Sequence, residues 1–385
     1  MRAEGRDAVR ARTSGRVDEG VLDLRVTDAR IDELRFAMDP PLVLAGDPIT
    51  TRDYVVAQVT LEGGATGTGY VLTRGQPIGA AAEAVARELP GSTLAELFAV
   101  PTHVRGRSPA QRACAIVDIC AWDLLGTVHE TPVWRLLGEA RMHQPALLVA
   151  GYRRQGESEL NMARRLVAWR GKGYRTIKIA GEADDAYLDR LLVAIRDLAA
   201  IEDLNLVLDL GFGSRDVDQV LAAADRWHPA GITWIEDPLP AAAAADIAAV
   251  RSNSPIAVAV GDEADPDELA GLRRASAIDV LRADATTLGG LTGLLDIAAT
   301  ADTPLSLHVY PEIHRHVAFV ASTDSPIESF PADDPFDFVD RFIHTEDGAL
   351  VDGGYLPPPS PGLGIRYRPE AVPGNLIRST LFTAD

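Results

Sequence analysis

Seven residues able to do chemistry stand at near-regular intervals in this sequence: Lys178, Asp209, Glu236, Asp262, Asp284, His308 and Glu328. Their spacing runs from 20 residues (328 less 308) to 31 (209 less 178), about the length of one strand-plus-helix unit. Asp209, Glu236 and Asp262 offer three hard oxygen donors with no cysteine nearby. That donor set suits one magnesium ion, with manganese as the alternative, better than zinc. Each also stands where a strand passes into a helix, so helix capping is the competing explanation, and Glu263 beside Asp262 leaves the third ligand least certain. Asp284 and His308 close neighbouring runs. A carboxylate bound to one imidazole nitrogen fixes the tautomer and leaves the other nitrogen free for acid/base work. The plainer alternative is a satisfied core histidine; His314 and His316, in the next helix, read as structural or solvated.

These residues need a scaffold that brings strand ends together. From Ala146 onward eight short apolar runs alternate with amphipathic stretches: ALLVA, TIKIA, LNLVLDL, ITWIED, IAVAVGD, IDVLRAD, PLSLHV and PIESF. Continuous apolar runs separated by helices indicate parallel strands buried on both faces, and eight in succession predict a closed α/β barrel of the TIM type. Active sites in such barrels gather at the carboxyl ends of the strands, where the seven residues fall. Upstream, Val21–Phe36, YVVAQVTLE and TGTGYVL read as strands, with Gly63-Gly64 as a turn. Helical patterns follow at Ile78–Glu88 and Ser108–Leu125, the second closed by Gly126. The expected organisation is a flexible tail over 1–20, an α+β capping domain over 21–140 completed by 345–385, and a barrel over 141–344.

Composition sets outer limits. Hydrophobic content of 46% and charged content of 24% are those of an ordinary folded chain. A net charge of -19 lacks the basic surface that phosphate backbones require, so no nucleic-acid partner is expected. Cys114 and Cys120 fit neither a redox nor a zinc spacing and are expected to be buried and reduced. No secretory h-region and no run long enough to cross a bilayer is found, so a cytoplasmic protein without membrane contact is expected.

The segments AIVDICAWDLLGTVHETPVWRLLGE at 115–139, WIEDP at 234–238, GDE at 261–263, DATTLGGLTG at 284–293 and PSPGLGI at 359–365 resemble the mandelate racemase subgroup of the enolase superfamily. The resemblance covers nearly the whole chain outside the tail. It implies a modified, enolase-like barrel under a capping domain, with substrate selected through loops near Phe36–Ala45. It further implies magnesium on Asp209, Glu236 and Asp262, an Asp284–His308 dyad, and Glu328 hydrogen-bonding the substrate carboxylate. The chemistry implied is removal of a proton beside a carboxylate to give an enolate. A family-like homo-oligomer is also implied, though a single sequence shows no interface.

Departures from the pattern direct the choice of reaction. The subgroup's Lys-x-Lys is here Lys178 followed by Ala180, which leaves Lys178 to bind a carboxylate oxygen and removes the opposite-face base; a register slip making Lys178 the second lysine is the alternative. The usual Asp-x-Asn is DLG at 209–211, and Asp262 stands where close relatives often carry Glu. One base suffices for dehydration, so an acid-sugar dehydratase giving a 2-keto-3-deoxy acid is the leading expectation. An epimerase, racemase or cycloisomerase follows if another residue replaces the lysine. A non-catalytic metal-binding homologue is the reading from another class. Tyr152, after the first barrel run, and Tyr310, after His308, face either the pocket or the packed interior, and neither is assigned a role.

Overall fold

The computed structural model describes residues 2–13, 15–44, 47–100, 108–138, 140–180, 184–211, 215–321, 325–330, 337–345 and 350–384. Three long antiparallel strands, β1 (Val26–Leu44), β2 (Asp47–Leu61) and β3 (Thr66–Leu72), open the chain proper, with Gly63 and Gly64 at positive φ between the last two. Burial alternates along much of β1, whereas the second half of β2 and nearly all of β3 are buried. Two helices of interest precede and follow it: α1 (Arg2–Thr13) before, and α2 (Pro109–Val128) after. Nearly every side of α2 is buried, including Trp122, Leu124 and Leu125 at 0% exposure. Burying side chains of that size contributes about 1.5–3 kcal/mol each. Ser108 caps α2 by accepting from the Gln111 N–H at 3.2 Å, and Pro109 occupies the first turn.

Eight parallel strands follow: β4 (Gln144–Gly151), β5 (Thr176–Ala180), β6 (Asn205–Asp209), β7 (Ile232–Glu236), β8 (Ala257–Val260), β9 (Val280–Ala283), β10 (Leu305–Leu307) and β11 (Ile327–Ser329). They pair in chain order from β4 to β10, and β11 returns to pair with β4. The eight apolar runs therefore form the barrel that their pattern predicts. Among the described residues no backbone ladder joins β10 to β11. Side chains bridge that seam instead: Ser306 Oγ donates to Pro326 O at 2.6 Å, and the Val309 N–H donates to Glu328 Oε2 at 2.7 Å. Leu147, Val207, Trp234, Ala259 and Val280 fill the barrel interior beneath the site. The final strand, β12 (Leu376–Thr383), pairs antiparallel with β1 at the edge of the first sheet.

Three local expectations require correction. Residues 2–13 are a helix, not part of a flexible tail. Val9 and Thr13 are buried, and Gly5 lies so close to the Ala95 carbonyl that a Cβ would collide with it. Only one large apolar residue marks that face, so no periodic signal exposed the helix. The first strand begins at Val26, after a 3-10 turn over Glu19–Asp23. Gly126 does not close α2, which continues to Val128. A Cβ there would sit 2.6 Å from Gly362 Cα, so the glycine serves close backbone approach between α2 and the segment around Leu363. Asp123 clasps the same junction, accepting from the Leu363 N–H at 2.7 Å and the Thr68 N–H at 2.8 Å. This contact gives a structural reason for both the AWD and PSPGLG segments. Cys114 and Cys120 are buried free thiols. Among the described residues no helix is long and apolar enough to cross a membrane.

Candidate active site

The period-two rule places Lys178 and Ala180 of β5 on the interior face, and Ala180 lies level with Asp209 of β6. Lys178 stands one layer deeper, 2% exposed, with Nζ 3.0 Å from Asp209 Oδ2, 2.8 Å from Glu328 Oε1, 3.5 Å from Asp262 Oδ2, and paired with Glu236. Asp209, Glu236 and Asp262 present oxygens all within 4.8 Å of one another, a separation that one cation could bridge. Helix capping does not occupy them: the helices after β6 and β8 are capped by Asp216 and Asp265, and Ala243 precedes the helix after β7. Glu263 turns away from this group to pair with Arg74 Nη1 at 2.7 Å and with Arg112, so Asp262 is the member of the GDE segment in the cage.

A second buried cation lies among these acids. Arg282, 0% exposed, donates through Nε to Asp262 Oδ1 at 2.7 Å and through Nη1 to Ser306 Oγ at 2.7 Å. Its Nη2 lies 2.5 Å from Glu328 Oε1 and 3.3 Å from Glu236 Oε1. Four carboxylates thus face two cations, leaving two negative charges if every group is ionised. Burial pushes Glu236 well above the usual carboxylate range, reinforced by Asp262 and opposed by Arg282 and Lys178. Burial also acts on Asp262, but Arg282, His308 and Lys178 outweigh it and hold that group well below the range. Glu328, despite burial, is held down to about 2 by Lys178 and Arg282. A divalent cation would neutralise the remaining pair of charges, so the donor set and charge balance fit such an ion.

Beside the cage, His308 Nδ1 faces Asp284 Oδ2 at 3.3 Å and Nε2 lies 3.4 Å from Asp262 Oδ2. Asp284 is oriented from behind: its Oδ1 accepts from the Thr286 N–H at 2.7 Å and the Thr286 hydroxyl at 2.8 Å. Arg112 of α2 donates to that same hydroxyl at 2.8 Å. From the capping side, Arg74 Nη2 lies 3.2 Å from His308 Nε2. Arg74, which only donates, favours a lone pair on Nε2, and Asp284, which only accepts when ionised, favours the ring proton on Nδ1. That is the tautomer a general base requires.

The structure brings Lys178, Asp209, Glu236, Asp262, Asp284, His308 and Glu328 to one end of the barrel. Except for Glu236 and Asp284, these line, with Tyr152 and Tyr310, a cavity of about 670 Å³. His314 and His316 are buried, not solvated. His314 accepts from the Ala285 N–H at 3.1 Å, and burial lowers it to about 4; His316 accepts from the Trp134 N–H at 3.2 Å, and burial lowers it to about 3. Phe36 lies within β1, stacked on Phe338 at 4.9 Å, rather than in a substrate loop; Ala45 lies outside the described residues, as does Glu139 at the end of the 115–139 segment. Leu44, near the end of the 36–45 stretch, does line the cavity, and residues 47–54 with Tyr70, Leu72, Thr73, Arg74 and Gly75 form the rest of the capping wall. Sequence reasoning passed over Arg52, Arg74, Arg112 and Arg282. Only Arg282 left a signal: a cation inside an apolar run, two residues before Asp284 and hence on the same face.

Comparison with known proteins agrees with this architecture. Residues 26–138 match the family described as mandelate racemase / muconate lactonizing enzyme, N-terminal domain, and residues 161–371 match enolase C-terminal domain-like. D-galactarolactone cycloisomerase from Agrobacterium fabrum is 25% identical over 91% of this chain and 98% of its own length. An enolase from Bradyrhizobium, crystallised with magnesium and mandelic acid, is 27% identical with a TM-score of 0.81, covering 92% of this chain and 99% of that one. L-talarate/galactarate dehydratase from Salmonella typhimurium shares the fold at 20% identity, with a TM-score of 0.83 and 95% of both chains covered.

Proposed function

The chain belongs to the mandelate racemase / muconate lactonizing enzyme family of the enolase superfamily, and on that premise we propose that it is a magnesium-dependent enzyme removing the proton beside a carboxylate. Asp209, Glu236 and Asp262 would hold the ion. When bound, it supplies positive charge to the substrate carboxylate as the neighbouring carbon becomes an enolate. The observation that carries this reading is the juxtaposition of the three-carboxylate group with a histidine whose Nδ1 is turned to Asp284 and whose Nε2 lies between Arg74 and the Asp262 carboxylate at the cavity.

In this reading His308 Nε2 takes the α-proton, and Asp284 stabilises the imidazolium that results. Lys178 holds a carboxylate oxygen of the substrate, and Glu328 hydrogen-bonds the same carboxylate. The reaction favoured is dehydration of an acid sugar. The bond to the β-hydroxyl breaks, the imidazolium returns its proton to the departing oxygen, water leaves, and the enol tautomerises to a 2-keto-3-deoxy acid. Ala180 supports this choice, since no amine stands there to reprotonate the opposite face. Incubating the magnesium-loaded protein with a panel of aldonic and aldaric acids should yield 2-keto acids. No turnover across a broad panel with metal bound would overturn the dehydratase reading.

Cycloisomerisation is the second reading, favoured by the galactarolactone cycloisomerase relative and by Tyr152, the next residue after the Gly151–Ile179 rung beside Ala180. Exchange of the α-hydrogen for solvent deuterium without loss of water, accompanied by ring opening or inversion of configuration, would select it over dehydration.

A further inference from the structure

A closed ring of side chains surrounds the general base. His308 Nδ1 faces Asp284 Oδ2 at 3.3 Å, Asp284 Oδ1 accepts from the Thr286 hydroxyl at 2.8 Å, and Arg112 Nη1 donates to that hydroxyl at 2.8 Å. Arg112 also pairs with Glu263, Glu263 Oε1 lies 2.7 Å from Arg74 Nη1, and Arg74 Nη2 returns to His308 Nε2 at 3.2 Å. Barrel loops supply His308, Asp284, Thr286 and Glu263, while the capping domain supplies the two arginines. Arg112 is 1% exposed and fixes the far side of the ring in the interior. Of the ring's members only His308, Glu263 and Arg74 line the cavity.

The backbone at Arg74 is held in a conformation that arginine rarely adopts. The Gln76 N–H donates to Thr73 O at 2.9 Å across a turn whose central residues, Arg74 and Gly75, have φ of +50° and +77°. Positive φ at both central positions is the pattern of a primed turn, which is dominated by Gly, Asn and Asp. Arginine is therefore strained there, and what the turn delivers is its side chain. That side chain carries a second disadvantage, because a cation fixed at Nε2 opposes the positive charge that the imidazole gains on taking a proton. Glu263 bridges two arginines and neutralises only one of them. Nothing in proton abstraction itself offsets these two terms.

The step that follows can offset them. Asp262 Oδ2, on the cage side of the base, lies 3.4 Å from Nε2, and Arg74 approaches the same nitrogen from the Glu263 side. A substrate with its carboxylate at the cage and its α-carbon at Nε2 extends its next carbon toward Arg74. The contacts to Glu263 and His308 leave N–H groups of that guanidinium for a third partner. We propose that Arg74 is a catalytic residue of the elimination step, holding the β-hydroxyl on the His308 face and stabilising the charge that gathers on its oxygen. As the Cβ–O bond breaks, its electron pair goes to that oxygen, the proton on His308 Nε2 joins it, and water leaves. The electron pair at the α-carbon becomes the Cα–Cβ double bond. Arg74 stays protonated throughout, since a guanidinium donates hydrogen bonds without giving up its proton. This deepens the proposed function and rests on it for the enolate. It narrows the substrate class to α-hydroxy acids whose 3-hydroxyl lies on the face from which the α-proton is taken.

The test separates proton abstraction from elimination. The full-length, magnesium-loaded protein is incubated in deuterium oxide with gluconate and with each acid that it dehydrates, each beside its 3-deoxy form, which can exchange an α-hydrogen but has no β-hydroxyl to lose. Arg74→Met should lower 2-keto acid formation about tenfold or more, while α-exchange of the 3-deoxy acids changes by about threefold or less. Arg74→Lys should recover part of the elimination. Equal falls in both rates, as a merely structural role would give, or undiminished elimination, would overturn the assignment. Calorimetry on the magnesium-loaded His308→Asn protein reads the contact without turnover. Gluconate should bind about threefold or more tightly than 3-deoxygluconate, and adding Arg74→Met should abolish the difference. An Arg74-dependent difference in a protein whose parent exchanges neither acid would support the contact and overturn the enolate reading. No difference between the two acids would overturn the contact.

Discussion

Replacing Arg282 with methionine removes the cation joining Asp262, Glu236 and Glu328 while preserving much of the apolar stem. The guanidinium is wholly buried and makes contacts of 2.7 Å to Asp262, 2.5 Å to Glu328 and 2.7 Å to Ser306. Removing one partner from a buried ionic network costs about 3–5 kcal/mol, because the remaining charges lose compensation without regaining water. With Arg282 present, the four ionised carboxylates and two cations leave two negative charges; without it, they leave three. A divalent ion should therefore stabilise Arg282→Met more than the parent. Thermal unfolding of both proteins, in chelator and in magnesium, reads this directly. The metal-free substituted protein should melt well below the parent, and magnesium should narrow the gap. Arg282→Lys should fall between them in chelator. Equal melting temperatures without metal, or an identical magnesium increment in both proteins, would refute the view that Arg282 is counter-charge for the cage.

His308→Asn should abolish α-hydrogen exchange while magnesium stabilisation, measured as a melting shift, persists; undiminished exchange would remove His308 from the mechanism. Burial lifts Asp118 to about 6 and Asp123 to about 7 in the folded protein, against an ordinary value near 3.8. Between the ordinary and raised values the folded state binds more protons than the unfolded state, so these groups make stability fall as pH rises through that window. Asp123→Asn should flatten the dependence between about pH 4.5 and about pH 7.5 in denaturant titrations, whereas parallel curves would discount Asp123 as its source. The same substitution should cost about 1–3 kcal/mol at the acid end, since one amide oxygen cannot serve both the Leu363 and Thr68 N–H donors. Gly362→Ala should destabilise by a similar about 1–3 kcal/mol, because φ is +66° and the new methyl presses on Asp123; an unchanged melting temperature would contradict that packing.

Much of the barrel was legible because its strands are continuous apolar runs and its chemical residues recur at one strand-plus-helix spacing. Those two periodicities located Asp209, Glu236, Asp284, His308 and Glu328 without knowledge of any neighbour. Asp262 and Glu263 were harder to separate: adjacent acids share a sequence position to within one residue, and their different partners, Arg282 for one and Arg74 with Arg112 for the other, come from distant segments. The helix at residues 2–13 was missed for a related reason. Its seat is a backbone approach at Gly5 and one buried valine, neither of which makes a repeating pattern.

By itself, then, the sequence determined the barrel, the face to which each strand-end residue points, and the acid-rich character of the site, all consequences of local periodicity and chain spacing. Tertiary structure decided what balances that acid and what covers it. Arg282 becomes the cage's second cation only when β7, β8 and β11 converge around it, and Arg74 reaches His308 only because the β2–β3 hairpin ends over the barrel mouth. Electrostatic compensation depends on distances between residues far apart in the chain, which no local period encodes.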